Sequence, residues 1–229
     1  MTTNKEKTLV MKFGGTSVGS VQAMKNVLDI ISMYNKEWNR MVVVTSAMTG
    51  VTDLLMKSAH DASRGETHTF HQAAFDLQRR HEELIDAFVP DIARKSQVKQ
   101  DVRHLITDFT NLCNAIAILG EATPRALDTV AGLGERICAR VLTVALDATC
   151  CINSQLVEST AMVITDSHFQ NAKPDMEITK IRTRQILEPL LEQGRVPVVT
   201  GFIGATKEGI PTTLGRGGSD TSAVAIAAK

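Results

Sequence analysis

Residues Leu9-Val10-Met11-Lys12-Phe13-Gly14-Gly15-Thr16-Ser17-Val18-Gly19-Ser20 decide the fold class. An apolar run of strand length meets a glycine pair, and Val21, Met24, Val27, Leu28 and Ile31 then recur at helical spacing. Strand, tight turn and helix in that order are half of a βαβ unit. The other half follows at once. Met41-Val42-Val43-Val44 is the continuous apolar run of a parallel strand covered on both faces, and Ser46 to Thr52 lead into a helix over Asp53–Arg64. An α/β fold is expected, with a mostly parallel sheet sandwiched by helices.

From Glu66 to about Leu119 the pattern is helical, polar and charged, broken by Pro90 and without a strand, so residues 66–120 read as a helical excursion after the second strand. Thr123-Pro124 reads as an N-cap followed by proline at the first helical position. The apolar face Ile137, Val141, Leu142, Ala145 and Leu146 carries that helix to its end. Strands are expected over Cys151–Val157, Met162–Thr165 and Val196–Ile203. A helix over Ile178–Gln193 is expected to stop at Gly194, with Pro189 bending its last turn. After a turn at Lys207-Glu208-Gly209, the Gly-rich segment ending at Asp220 opens a small-residue helix that runs to Lys229.

The 229 residues suffice for one large domain with its own core. Lys+Arg 25 against Asp+Glu 25 leaves no net charge, and 43% hydrophobic with 22% charged residues is ordinary for a soluble globular chain, which argues against a nucleic-acid partner. Cys113, Cys138, Cys150 and Cys151 form no C-x-x-C pair and suit buried free thiols in a reducing compartment. A cytoplasmic location is expected. The residues from Met1 to Lys7 are polar, and no stretch approaches the ~18 apolar residues of a membrane span.

Three loops lie where a strand gives way to a helix, and in an open α/β sheet that edge is where ligands bind: Lys12–Gly19, Ser46–Thr52 and Gly215–Asp220. Gly14 and Gly19 have P-loop spacing, but Ser20-Val21 stands where that motif demands Lys and Ser or Thr. Lys12 on the strand side can still meet a phosphate that the Gly14-Gly15 N–H groups approach; a plain structural turn is the alternative. In Gly215-Arg216-Gly217-Gly218-Ser219-Asp220, three glycines free the backbone to form an anion-holding nest, and the arginine offers a bidentate clamp for a carboxylate. Its alternative is a surface turn with a solvated arginine. Glu135 in Gly134-Glu135-Arg136 reads equally as a partner of the helix dipole or an exposed residue. The six histidines give no metal-ligand spacing and read as mostly solvated, and no G-x-S-x-G elbow occurs.

Lys12-Phe13-Gly14-Gly15-Thr16-Ser17-Val18, Ser46-Ala47-Met48-Thr49-Gly50-Val51-Thr52-Asp53-Leu54-Leu55, Gly134-Glu135-Arg136 and Thr213-Leu214-Gly215-Arg216-Gly217-Gly218-Ser219-Asp220 together resemble the ordered signature of aspartokinases, in the amino-acid kinase superfamily. The resemblance implies ATP and L-aspartate as substrates, Mg²⁺ carried by the nucleotide with no metal site in the protein, and 4-phospho-L-aspartate as product, the first step towards lysine, threonine and methionine. It makes Lys12 a catalytic contact to the phosphates, with Gly14, Gly15, Thr16 and Ser17 beside it. Ser46, Thr52, Glu135, Arg216, Gly217, Gly218 and Ser219 would surround aspartate, with Arg216 on the α-carboxylate and Glu135 near the ammonium. Asp220 would orient the substrate or the lysine. Phosphoryl transfer to a carboxylate brings together anions that repel, so positioning and charge neutralisation are the protein's task.

Family members continue with a W-T-D-V-D-G strand and turn, a later lysine at the phosphates and regulatory ACT domains. None stands in residues 1–229, whose single tryptophan is Trp38. The expectation is therefore an amino-terminal piece of a catalytic domain, ending before its nucleotide-binding half, with doubtful activity alone. Val196–Ile203 and the helix after Asp220 are expected to leave an unpaired edge that a second copy pairs, hence a homo-oligomer. Another amino-acid kinase, acting on glutamate or a carbamoyl substrate, and a non-catalytic substrate-binding fragment are the alternatives.

Overall fold

The computed structural model describes residues 7–227; residues 1–6 and 228–229, and with them the expected run of the last helix to Lys229, lie outside the described residues. Strand β1 (Leu9–Phe13), helix α1 (Val21–Asn35), β2 (Met41–Thr45) and α2 (Val51–Ser63) form the opening units. The excursion is α3 (Thr67–Phe88) and α4 (Ile92–Leu119), separated at Pro90. Then come α5 (Pro124–Ala131), α6 (Leu133–Cys150), β3 (Ser154–Val157), α7 (Met176–Glu192), β4 (Val196–Thr200), β5 (Ile203–Ala205), β6 (Pro211–Thr213) and α8 (Gly218–Ala227). The helix ends are set by local chemistry. The side chains of Ser20, Asp91 and Thr123 accept from the N–H groups of Ala23, Arg94 and Ala126, while Gly120 and Gly194 adopt the left-handed conformation that stops α4 and α7.

The main sheet is parallel throughout, in the order β1-β2-β4-β3, with Met11 opposite Val43 and Val43 opposite Val198. Side-chain alternation explains why its central strands are buried at every position. Met41, Val43, Val196 and Val198 enter a large core shared with α1 to α6. Val42, Val44 and Val199 enter a smaller one with Leu187 and Leu191 of α7 and Ile226 of α8. The sheet is thus flanked by helices on both faces, and the carboxyl ends of β1, β2 and β4 open on one edge.

Several expectations are corrected. The helix opening at Thr123 breaks at Gly132 into α5 and α6; Gly132 is also where a Cβ would lie 2.9 Å from Ile203 Cγ2. The segment 162–165 makes only single bridges, Ile164 to Ala205 and Thr165 to Pro174, after a 3₁₀ turn at Ser159–Ala161. The segment 196–203, expected as one strand, carries β4 and the start of β5. Phe202 between them has φ +67°, and β5 turns away to pair antiparallel with β6. Strand β4 is paired on both sides, by β2 and β3, so the sheet's edges are β1 and β3. Five of the six histidines are exposed, in line with the expectation of mostly solvated histidines, and His81 is the buried exception; Cys151 is exposed while Cys113 and Cys138 are buried. Among the described residues, no helix is long and apolar enough to cross a membrane.

Candidate active site

Strand β1 delivers Lys12 to the open edge of the sheet, where its Nζ lies 2.8 Å from Asp220 Oδ1 in the first turn of α8. The turn after it lies directly on the loop after β2. A Cβ at Gly15 would sit 2.7 Å from the Ala47 carbonyl oxygen and 3.0 Å from Thr49 N, backbone atoms that cannot swing aside. Thr49 N–H in turn donates to Gly15 O at 3.2 Å.

The same loop makes the link to α6 and α8. Ser46 Oγ donates to Ser219 Oγ at 2.9 Å, and Ala47 N–H donates to Glu135 Oε1 at 3.1 Å. Gly134 permits this approach, since a Cβ there would be 2.8 Å from that of Ala47. Glu135 is 3% exposed, neither a surface residue nor only a partner of the helix dipole, and its Oε2 has no hydrogen-bond partner. Burial pushes its carboxyl up to about 8, against the opposing pull of the Ala47 N–H.

Gly215 and Gly217 take φ of +72° and +76°, curling the loop so that α8 begins at Gly218. Arg216 and Asp220 are exposed. Arg216 makes no ion pair or hydrogen bond with the described residues, whereas Asp220 is held by Lys12.

A cleft of about 500 Å³ collects Lys12, Ser46, Thr52, Glu135, Arg216, Gly217, Gly218, Ser219 and Asp220. Gly14 lies beneath Lys12, where a Cβ would be 3.6 Å from Nζ. Thr16 and Ser17 line a different hollow of about 310 Å³, between the glycine turn and α1, with Phe13, Asn26 and Ile30. The cleft also takes in Thr213, the first residue of the last motif, and residues with no motif to mark them: Met56, Asp128, Ala131, Gln170 and Phe202. The one local signal for Asp128 is a carboxylate set among Leu127, Val130 and Ala131 on a short helix. It is 2% exposed, and burial raises its pKa against the pull of the Gln170 and Thr213 donors. Chemically, the cleft offers two cationic side chains, a half-satisfied buried carboxylate and paired serines, a set suited to a small zwitterion with further negative charge. Among the described residues, no group of three or more His, Cys, Asp or Glu is placed to hold a metal ion.

The sequence model of the amino acid kinase family matches residues 7–229. Lysine-sensitive aspartokinase 3 of Escherichia coli (strain K12) is 30% identical over 220 residues, covering 96% of this chain and 46% of that protein. Aspartokinase of Chlamydia muridarum (strain MoPn / Nigg) is 30% identical over 222 residues, covering 96% of this chain and 45% of its own length. The structure of E. coli aspartokinase III in complex with aspartate and ADP superposes with a TM-score of 0.85 at 27% identity, over 97% of this chain and 46% of that one. The lysine and aspartate complex of E. coli aspartokinase III gives 0.84 at 26%. The chain spans less than half the length of these relatives. With the family model matched from Lys7 onward and the same fold recovered over nearly the whole chain, the chain belongs to the amino acid kinase family, with aspartokinases among its relatives.

Proposed function

We propose that this chain is the aspartate-holding part of an aspartate kinase, which transfers the γ-phosphoryl group of ATP to the β-carboxylate of L-aspartate and yields 4-phospho-L-aspartate. The observation that carries this reading is the arrangement around Glu135: a buried carboxylate with one oxygen unpartnered, in the cleft that also receives the unpaired Arg216. An α-amino acid supplies the matching ammonium and carboxylate. Arg216 takes the α-carboxylate through a planar fork, Glu135 takes the ammonium, and Ser46, Thr52 and Ser219 line the remaining polar wall with Gly217 and Gly218.

Lys12 meets the phosphates and the charge that grows on the transferring group, with the N–H groups of Gly14 and Gly15 close by and Thr16 and Ser17 further along the turn. Asp220 holds the Lys12 ammonium in place at 2.8 Å. Mg²⁺ bound to the nucleotide would neutralise phosphate charge. Asp220, the one exposed carboxylate among the cleft residues, fits an ion that keeps most of its ligands on phosphate and water. The bond between the γ-phosphorus of ATP and its β,γ-bridging oxygen breaks, that oxygen leaving on ADP, as the β-carboxylate oxygen takes the phosphoryl group, and the chain's part is to align the two anions.

Calorimetric titration of the chain with L-aspartate tests the reading, with L-glutamate and carbamoyl compounds as competitors for the site. Saturable binding of L-aspartate, tighter than that of either competitor, is expected. Absence of saturation up to about 20 mM, well above the usual range of substrate affinities, refutes it. Thermal shifts with L-aspartate and with Mg·ATP, measured separately, then report which ligands the chain itself holds.

A further inference from the structure

The two buried carboxylates in the wall of the cleft have opposite surroundings. Glu135 accepts one bond from Ala47 N–H and leaves Oε2 without a partner. Asp128 has donors on both oxygens. Its Oδ1 accepts from Gln170 N–H at 2.9 Å and from Thr213 Oγ1–H at 2.7 Å. Its Oδ2 accepts from the same Gln170 N–H at 2.9 Å and from Thr213 N–H at 2.9 Å. An ionised carboxylate has about four lone-pair positions, and three donors, one of them shared by both oxygens, occupy most of them here. Asp128 lines the cleft, but its acceptor capacity is largely taken up within the fold.

What it does hold is the base of the Gly215–Asp220 loop. Gln170 has φ +68°, an unusual conformation for a residue with a side chain, and Asp128 fastens its N–H. The next residue packs against the loop: a Cβ at Gly215 would be 2.7 Å from Asn171 Oδ1 and 3.2 Å from Gln170 O. Ala172 N–H donates to Thr213 O at 2.9 Å, and Leu214 N–H donates to Phe202 O at 2.9 Å. Helix α5, the corner at 170–172 and strand β6 therefore meet on a single side chain, two residues before the glycine at which the loop begins.

We propose that Asp128 is a positioning residue, which fixes the Gly215–Asp220 loop through Gln170 and Thr213 and so delivers Arg216 to the substrate carboxylate. The delivery of Arg216 rests on the aspartate reading of the cleft; the fastening of the loop does not.

Asp128→Asn keeps the volume but turns an NH₂ group towards a backbone N–H. In the ligand-free chain, amide hydrogen exchange at Gly215–Asp220 is expected to speed up by about tenfold relative to β2, the size expected when a buried donor loses its acceptor. L-Aspartate affinity is expected to fall by a similar factor, about tenfold, with the circular dichroism spectrum unchanged. Thr213→Ser, which keeps the hydroxyl, should match the wild type in both, and Thr213→Val should loosen the loop. Exchange that rises uniformly over the chain, or a loop as protected as in the wild type, overturns the proposal. Should Asp128→Asn fail to fold, the Thr213→Val and Thr213→Ser pair decides it by the same comparison, and equal loop exchange in the two overturns it. If the wild type binds no L-aspartate, the reading of the cleft falls while loop exchange still decides the role of Asp128.

Discussion

Glu135 provides the sharpest test of the site, because its predicted partner and its protonation state are linked. Burial holds its carboxyl up to about 8, so at pH 7 only about one molecule in ten of the ligand-free chain carries the charge there. An ammonium group binds the ionised form. Aspartate binding at neutral pH should therefore expel a proton, and affinity should rise as pH approaches 8. With a single group titrating at about 8, the gain is roughly fivefold between pH 7 and 8 and close to tenfold per unit below that, or about 1.4 kcal/mol per unit. The measurement is calorimetric titration from pH 6 to 8, in pairs of buffers that differ in ionisation enthalpy. The observed heat should vary between buffers, and Glu135→Gln should remove both the pH slope and the buffer dependence. A flat affinity profile for the wild type, with equal heats in both buffers, refutes the placing of the ammonium on Glu135.

Stability of the ligand-free chain carries the same signature with the opposite sign. Between about 4.5 and 8 the folded state keeps a proton on Glu135 that the unfolded chain has released, so this group makes folding less favourable as pH rises. His81 acts in reverse. Burial pushes it from 6.5 down to about 4, its Nδ1 meets Leu77 O at 2.7 Å and its Nε2 has no partner. In that window the unfolded chain takes up a proton that the folded one refuses, and stability is lost as pH falls. The two slopes oppose each other between about 4.5 and 6.5, and above 6.5 the Glu135 slope remains.

Urea melts across this range should accordingly show His81→Leu losing stability steadily from about pH 4.5 upward, and Glu135→Gln gaining it up to about pH 6.5. Arg216→Lys should cost about 1.5–3 kcal/mol of L-aspartate affinity, because an ammonium cannot reproduce the planar fork; calorimetry showing no change would remove Arg216 from the site. Lys12→Ala should leave L-aspartate affinity nearly intact, since its partner is phosphate charge, and an equal loss in the two variants would contradict that division. Gly15→Ala should lower stability by about 1–3 kcal/mol in thermal melts, because the added methyl meets the Ala47 carbonyl at 2.7 Å and one backbone must move.

Where local chemistry leaves one solution, the residues announce the structure. The two central strands are apolar at alternating and intervening positions alike because helices cover both faces, and such a run has few other readings. Gly15, Gly50, Gly215 and Gly217 stand where a side chain meets backbone or where φ is positive, so the three loops at the sheet edge can be located before any coordinates. The breaks are different. The break between α5 and α6 falls at Gly132, where Ile203, far along the chain, packs where a Cβ would be, and helical spacing holds no record of that neighbour. Phe202 interrupts the segment 196–203 with a left-handed residue fixed by partners elsewhere, its N–H on Ser222 Oγ and its carbonyl on Leu214 N–H.

The cleft divides along the same line. Lys12, Arg216 and Asp220 belong to punctuated loops and can be read in order along the chain. Glu135 can be placed at a helix start, but its burial depends on Ala47, on another loop. Asp128 lies beyond local reading altogether: the donors it accepts from belong to Gln170 and Thr213, 42 and 85 residues away. A carboxylate on the apolar side of an eight-residue helix signals only that distant donors must exist, because a buried carboxylate without them would be costly. Sequence thus reveals the groups that a ligand would meet at loops, whereas the residue that fastens such a loop is defined by long-range contacts and becomes visible once the chain has closed around it.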